Sequence, residues 1–355
     1  MLSGFSEHLA SPLVPDAAGH ALRAIAAQLP VVGSSQYVEL RLGEHASPRV
    51  DFLIAVSRLQ RELVQANAAT YRALGPGLSP LCRTLERWTN RESSLYEAVP
   101  MLWLEFDDVE RQSALSANLC ATVAPSYLEP LAPIVSLAHA DLPAILFEVL
   151  ELARGNAPTA SERDTLTRCV QGLPAGSHWL HLSVMTARSP QVVKLYGVFP
   201  AGTAVAYLRG LGWGGDLARI ERLLSRSAEV DGAGGEVYLD LCVSELSGGH
   251  GYSLGICFSK QRIRPADPRR GALIEFLLAE RLCTSAQAVA LADWPAKVAL
   301  GAGAERRHFL ERWFEIKLVY HSAEALSAKA YLGFAASAGQ LKAAESQGID
   351  HQRRI

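Results

Sequence analysis

The chain has 355 residues, 49% of them hydrophobic and 20% charged, with a formal net charge of −2 and a pI near 6.6. That is enough apolar material for a large core, and the near-neutral balance excludes a global attraction to nucleic acid or anionic lipid, so any anion site must be local. No apolar run approaches about 18 uninterrupted residues, and MLSGFSEHLASPLVPD lacks a basic stretch followed by an apolar one, so neither membrane insertion nor secretion is expected. The six cysteines are scattered without a C-x-x-C pair, which fits reduced thiols in the cytoplasm.

In chain order, an N-terminal helical segment precedes YVELRLG (37–43) and VDFLIAVS (50–57), which flank a short turn and read as a hairpin. A helical stretch runs from Arg58 to about Trp88, broken at Gly-Pro-Gly near 75–77. MLWLEFDD (101–108) is a strand whose partner is expected within 126–137, followed by a helix over 142–155. WLHLSVMTA (179–187) and QVVKLYGVF (191–199) are joined by an Arg-Ser-Pro turn, and two helical pieces split at Gly214-Gly215 follow them. VYLDLCVSE (237–245) pairs with YSLGICFS (252–259); more helix leads to WFEIKLVYH (313–321) and AKAYLGFAA (328–336). The pattern is two strands and then helix, repeated to give about ten strands in five hairpins.

Strand parity separates two faces. Leu102, Leu104 and Phe106 oppose Met101, Trp103, Glu105 and Asp107; Val38, Leu40 and Leu42 oppose Tyr37, Glu39 and Arg41. Likewise Val237, Leu239 and Leu241 oppose Tyr238, Asp240 and Cys242, and Ile316 and Leu318 oppose Glu315 and Lys317. The aliphatic face needs cover, which the amphipathic helices supply. The mixed face carries rings that are costly to leave on an open surface, so the sheet is expected to close into an antiparallel barrel wide enough to hold a ligand.

Two strands carry one device: Lys194-Leu195-Tyr196 and Lys329-Ala330-Tyr331. Residues i and i+2 share a strand face, so each places an ammonium beside a phenol, a point charge with directed hydrogen bonds for an anion such as diphosphate.

Other motifs carry less. Asp107-Asp108-Val109-Glu110 resembles an aspartate-rich metal motif but has Arg111 where a third carboxylate is needed and reads as a strand-end turn. Asp107 still offers Mg²⁺ one carboxylate to share with diphosphate oxygens. The glycines of 210–216 sit within helical sequence and read as a corner; SELSGG reads as a turn; His178 and His181, three apart, fall on opposite strand faces and are not read as co-ligands.

Hairpins alternating with helices, a polar barrel interior and Lys-x-Tyr pairs on lumen-facing strands resemble the aromatic prenyltransferases of the ABBA or PT-barrel type, including their indole and cyanobactin-peptide branches, over roughly residues 35–336. The resemblance implies an α/β fold: a closed antiparallel β-barrel surrounded by α-helices, one domain over 1–336 with a flexible tail at 337–355. It implies transfer of an isoprenoid from an allylic diphosphate to an aromatic small molecule or peptide side chain, without a required cofactor. Lys194, Tyr196, Lys329 and Tyr331 match the family's diphosphate cage, with Lys317 and Arg41 as compensating cations, and Glu105 resembles the carboxylate that takes the acceptor's proton. Trp103, Tyr196, Tyr238 and Tyr331 would shield the allylic cation. The hairpin over 237–259 departs from the family, offering Tyr238, Asp240, Ser253 and Cys257 where a basic strand is expected. That departure keeps open a second reading, a non-catalytic barrel binding a hydrophobic small molecule or peptide in a biosynthetic pathway.

Overall fold

A computed structural model describes residues 11–29, 35–44, 49–112, 114–124, 141–231, 235–247, 252–300 and 308–338. The described strands are β1 (Ser35–Leu42), β2 (Val50–Ser57), β3 (Met101–Phe106), β4 (Asn118–Thr122), β5 (His178–Val184), β6 (Val193–Pro200), β7 (Glu236–Cys242), β8 (Ser253–Ile263), β9 (Ala296–Leu300), β10 (His308–His321) and β11 (Ser327–Ala338). They pair antiparallel in the order β1 to β8, then β10, then β11, and β11 pairs back onto β1. The result is a closed ten-stranded antiparallel barrel built from five hairpins, with β9 added outside the ring along the first residues of β10.

The described helices are α1 (Asp16–Gln28), α2 (Arg61–Ala66), α3 (Ala68–Ala73), α4 (Ser79–Thr89), α5 (Ser94–Ala98), α6 (Leu142–Arg154), α7 (Ala160–Gln171), α8 (Ala204–Gly210), α9 (Leu217–Asp231), α10 (Arg269–Ala279) and α11 (Ser285–Asp293). The stretch after β2 breaks into short helices at Asn67 and again at Gly75-Pro76. α7 opens on a capping box in which Thr159 Oγ1 accepts from the Glu162 amide and Glu162 accepts from the Thr159 amide. None of the described helices is long and apolar enough to cross a membrane.

The aliphatic strand face points outward. Leu104, Leu195, Leu239, Ile256, Leu318 and Leu332 are buried in one cluster with Trp88 of α4, Leu146 and Leu150 of α6, Leu208 of α8, Ile220 of α9 and Leu277 of α10. Each such side chain contributes about 1.5–3 kcal/mol of burial, which fixes strand parity, because a one-residue slip would send the aliphatic set into the lumen.

Two expectations are corrected, and one strand is added. The partner of β3 is β4, with Glu105 opposite Asn118 and Leu104 opposite Leu119; residues 126–137, where it was expected, lie outside the described residues. A five-residue strand reading Asn-Leu-Cys-Ala-Thr offers too short an alternation to stand out. β11 runs to Ala338, past the expected start of the tail at 337, because the first residues of β10 extend to pair with it; residues 339–355 lie outside the described residues. β9, unexpected from the sequence, follows the same extension of β10.

One end of the barrel is filled by its own side chains: Tyr37, Ala55, Met101, Trp103 and Trp313 form a separate cluster on the lumen side. Trp313 Nε1 donates to the Tyr37 hydroxyl at 3.1 Å, and that hydroxyl donates to Glu315 at 2.9 Å. The Trp313 ring lies flat over Gly333, its cross-strand partner; a Cβ there would stand 2.2 Å from Trp313 Nε1. Gly333→Ala is therefore expected to destabilise the protein by about 1–3 kcal/mol through overpacking, read as a lower urea midpoint with an unchanged slope.

Candidate functional site

The lumen opens into about 1000 Å³ of space, part of it continuous with solvent, lined by polar and aromatic residues from nearly every strand of the ring. Of the residues singled out in the sequence, Glu105, Trp103, Lys194, Tyr196, Lys317, Lys329 and Tyr331 line this one cavity. Arg41 and Tyr238 do not. Arg41 pairs with Lys329, two positions beyond Glu39, and stays half-buried, whereas Tyr238 packs with Leu180 and Val198 and lies beside the Tyr196 ring, centroids 5.9 Å apart.

The cations are held by carboxylates. Lys317 and Lys329 are directly opposed across β10 and β11, an arrangement of like charges that is unfavourable alone. Two acids relieve it: Lys317 Nζ donates to Asp240 Oδ2 at 2.9 Å, and Lys329 Nζ donates to Glu39. Lys194 Nζ stands 3.9 Å from the same Asp240 oxygen. Burial pushes the Asp240 carboxyl up, but Lys317 and Lys194 outweigh it and hold this group well below the usual carboxylate range. Glu39 behaves alike, its burial outweighed chiefly by Lys329.

A second charged cluster was not legible in the sequence. Arg188, in the turn between β5 and β6, reaches across to β2 and β3, where its guanidinium donates to Glu105 and Asp107 and lies 3.4 Å from Asp51. The turn is fastened there: Thr186 Oγ1 donates to the Ala117 carbonyl at 2.6 Å and the Ala187 amide donates to Asn118 Oδ1 at 2.9 Å. Asp107, the carboxylate offered to Mg²⁺, also accepts from Asn118 Nδ2 at 2.7 Å and sits 3.2 Å from Arg49. With a guanidinium, an amide and a second arginine on its oxygens, Asp107 does not fit the part of a metal ligand. Oxygens of Glu39, Asp51 and Glu105 lie within 4.8 Å of one another, but Lys329, Arg49 and Arg188 already engage them.

Glu105 differs from Glu39, Asp107 and Asp240, whose carboxyls are lowered. Burial raises its carboxyl to about 7, against the lowering pull of Arg188 and with help from Glu39 and Asp107. His181, which also lines the cavity, is pushed down to about 4 by burial and is neutral near pH 7. A bulge at Leu180 offsets the strand, so that His178 pairs with Val198 and His181 with Tyr196; the two histidines thus share a side instead of falling on opposite faces, yet His178 does not line the cavity. Burial raises the Cys120 and Cys257 thiols to about 12, which keeps them from acting as nucleophiles.

Aromatic rings form a continuous belt along the lower wall. Trp313, Tyr37, Trp103, His181, Tyr196 and Tyr238 succeed one another with centroids 5.4–6.4 Å apart, and His181 stacks on Tyr196 at an interplanar angle of 18°. Near the end of β8, beyond a second bulge, Arg262 lies over the Trp313 ring at 4.1 Å and 3.9 Å from Glu315. It is the basic residue that the strand read over 252–259 lacked, but it sits at the filled end and does not line the cavity.

Breaking one buried pair should be worse than removing both members. Lys329→Met alone, which strands Glu39, is expected to cost about 3 kcal/mol, and combining it with Glu39→Gln should recover most of that loss in a denaturant double-mutant cycle.

No protein-family model matches the chain, and no curated protein does. Among solved structures it is similar to 6-dimethylallyltryptophan synthase from Micromonospora olivasterospora, determined in complex with DMASPP and Trp, with a TM-score of 0.55 and 15% sequence identity over 93% of this chain and 96% of that one. The likeness extends over nearly the whole of both chains and joins the closed ring and its helical cover on the page: the chain has the PT-barrel fold.

Proposed function

We propose that the protein is a prenyltransferase that moves an isoprenoid from an allylic diphosphate to an aromatic small molecule or peptide side chain. The observation that carries this reading is the convergence of Lys194, Lys317 and Lys329 with Tyr196, Tyr331 and Glu105 on one ring-lined cavity. The similar fold, known with DMASPP and tryptophan bound, supports the choice of donor and acceptor class.

In this reading the carbon–oxygen bond of the donor breaks, and the departing diphosphate takes the electron pair. The three ammoniums and the two phenols meet the growing charge. The allylic cation lies against Tyr196, Tyr331 and Trp103, each face worth about 0.5–2 kcal/mol of cation–π attraction. An electron-rich carbon of the acceptor attacks, and its proton passes to Glu105, whose raised carboxyl suits a base working near neutral pH. No step is routed through a metal. The six free cysteines suit a reducing cytoplasm, and the chemistry suits natural-product biosynthesis.

One observation favours the second reading, a non-catalytic barrel for a hydrophobic small molecule or peptide: each ammonium on the wall already has a carboxylate within 4.0 Å. Incubation with dimethylallyl or geranyl diphosphate and a panel of indoles, phenols and aromatic peptides, analysed by mass spectrometry, decides between them. Transfer of one isoprenoid group from either donor is expected. No transfer, together with thermal stabilisation by neutral ligands and none by pyrophosphate, would establish the carrier instead.

The pH profile is a second check. A base must be ionised, and Glu105 holds its proton up to about pH 7, so kcat/KM should fall as pH drops below that value and level off above it. Glu105→Gln should flatten this limb and lower kcat by about 10²–10⁴.

A further inference from the structure

Between Lys194 and Lys317 the wall is not empty. Asp240 Oδ2 lies 2.9 Å from Lys317 Nζ and 3.9 Å from Lys194 Nζ, a single anionic oxygen shared by two ammoniums from different strands. That is the position an oxygen of a bound diphosphate would take between the same donors. The arrangement is built by four strands, with Lys194 on β6. Asp240 on β7 faces Gly255 on β8 across the ladder, and Lys317 reaches over from β10. A Cβ at position 255 would stand 2.8 Å from Asp240 Cβ and 2.9 Å from Lys317 Cδ. Any side chain at that place, basic or otherwise, would push the pair apart, so a glycine at 255 and the Asp240–Lys317 contact are two sides of one packing solution.

We propose that Asp240 is a built-in occupant of the anion site, a carboxylate that holds Lys194 and Lys317 in place of a diphosphate and must be displaced when one binds. The identity of the displaced ligand rests on the prenyl-transfer reading; the competition itself rests on the geometry alone. Asp240 then sets the threshold for entry. A ligand that brings no more charge than a carboxylate gains nothing by exchange, whereas a diphosphate spans both ammoniums and reaches Lys329 beyond them. The residue acts on specificity through the lysines it holds and takes no part in bond breaking.

The test is calorimetric titration of inorganic pyrophosphate into the full chain and into Asp240→Asn, whose side-chain amide keeps the shape but not the charge. The variant is expected to bind at least tenfold more tightly than the unaltered protein, a gain that loss of a merely structural residue would not produce. Asp240→Ser, which removes the carboxylate and leaves a small hydroxyl, is expected to show the same direction, and it carries the comparison if circular dichroism shows Asp240→Asn to be unfolded. Equal or weaker binding in a folded variant, with measurable binding to the unaltered protein, overturns the role of Asp240 and leaves diphosphate binding and prenyl transfer standing. No binding to any of the three proteins overturns this proposal and removes the donor from the proposed function as well.

Discussion

Strand β11 pairs with β10 on one side and with β1 on the other, and this double pairing turns one face of a sheet into an interior. Closure leaves the ring with no unpaired edge to protect. It also traps whatever the inward positions carry, because each alternate residue on ten strands now faces a shared space. The aliphatic positions go outward to the helices, where α4, α6 and α10 bury them. What remains inside is charge, hydroxyl and ring, and the character of the cavity follows from that division.

A charge taken from water must be matched close by. The lumen meets the requirement with neighbours across the ring: Glu39 with Lys329 on adjacent strands, Asp240 with Lys317 two strands away, and Arg188 with Glu105 and Asp107 from a turn that reaches over β4. Burial outruns the neighbouring cations at Asp51, Glu315 and Glu105, and the Glu105 carboxyl is raised to about 7. The same compensation leaves each ammonium with a carboxylate beside it, so on the proposal above a ligand enters by exchange of partners and not by simple capture.

Much of this was legible because the period of a strand is two. Leu102, Leu104 and Phe106 against Trp103 and Glu105, or Val38 and Leu40 against Tyr37 and Glu39, declare their faces in the order of the letters, and the Lys-x-Tyr pairs declare that ammonium and phenol point the same way. What parity does not carry is offset and reach. The bulges at Leu180 and beyond Phe258 shift the count, which moved His178 and concealed Arg262. Arg188 lies in a turn, where no period applies, and its partners come from strands more than 80 residues earlier. The match of Lys317 with Asp240 depends on two strands separated by β8 and on a glycine between them, which no local pattern expresses.

The fastening of the β5–β6 turn has a mechanical side. β4 is the shortest strand of the ring, five residues, and it offers the fewest ladder bonds to the two strands it joins. Arg188, with Thr186 and Ala187 beside it, spans that narrow stave and ties the wall on one flank to the wall on the other. It works as a strut across the weakest seam, so the electrostatics of the site and the rigidity of the vessel that contains it are vested in the same side chain.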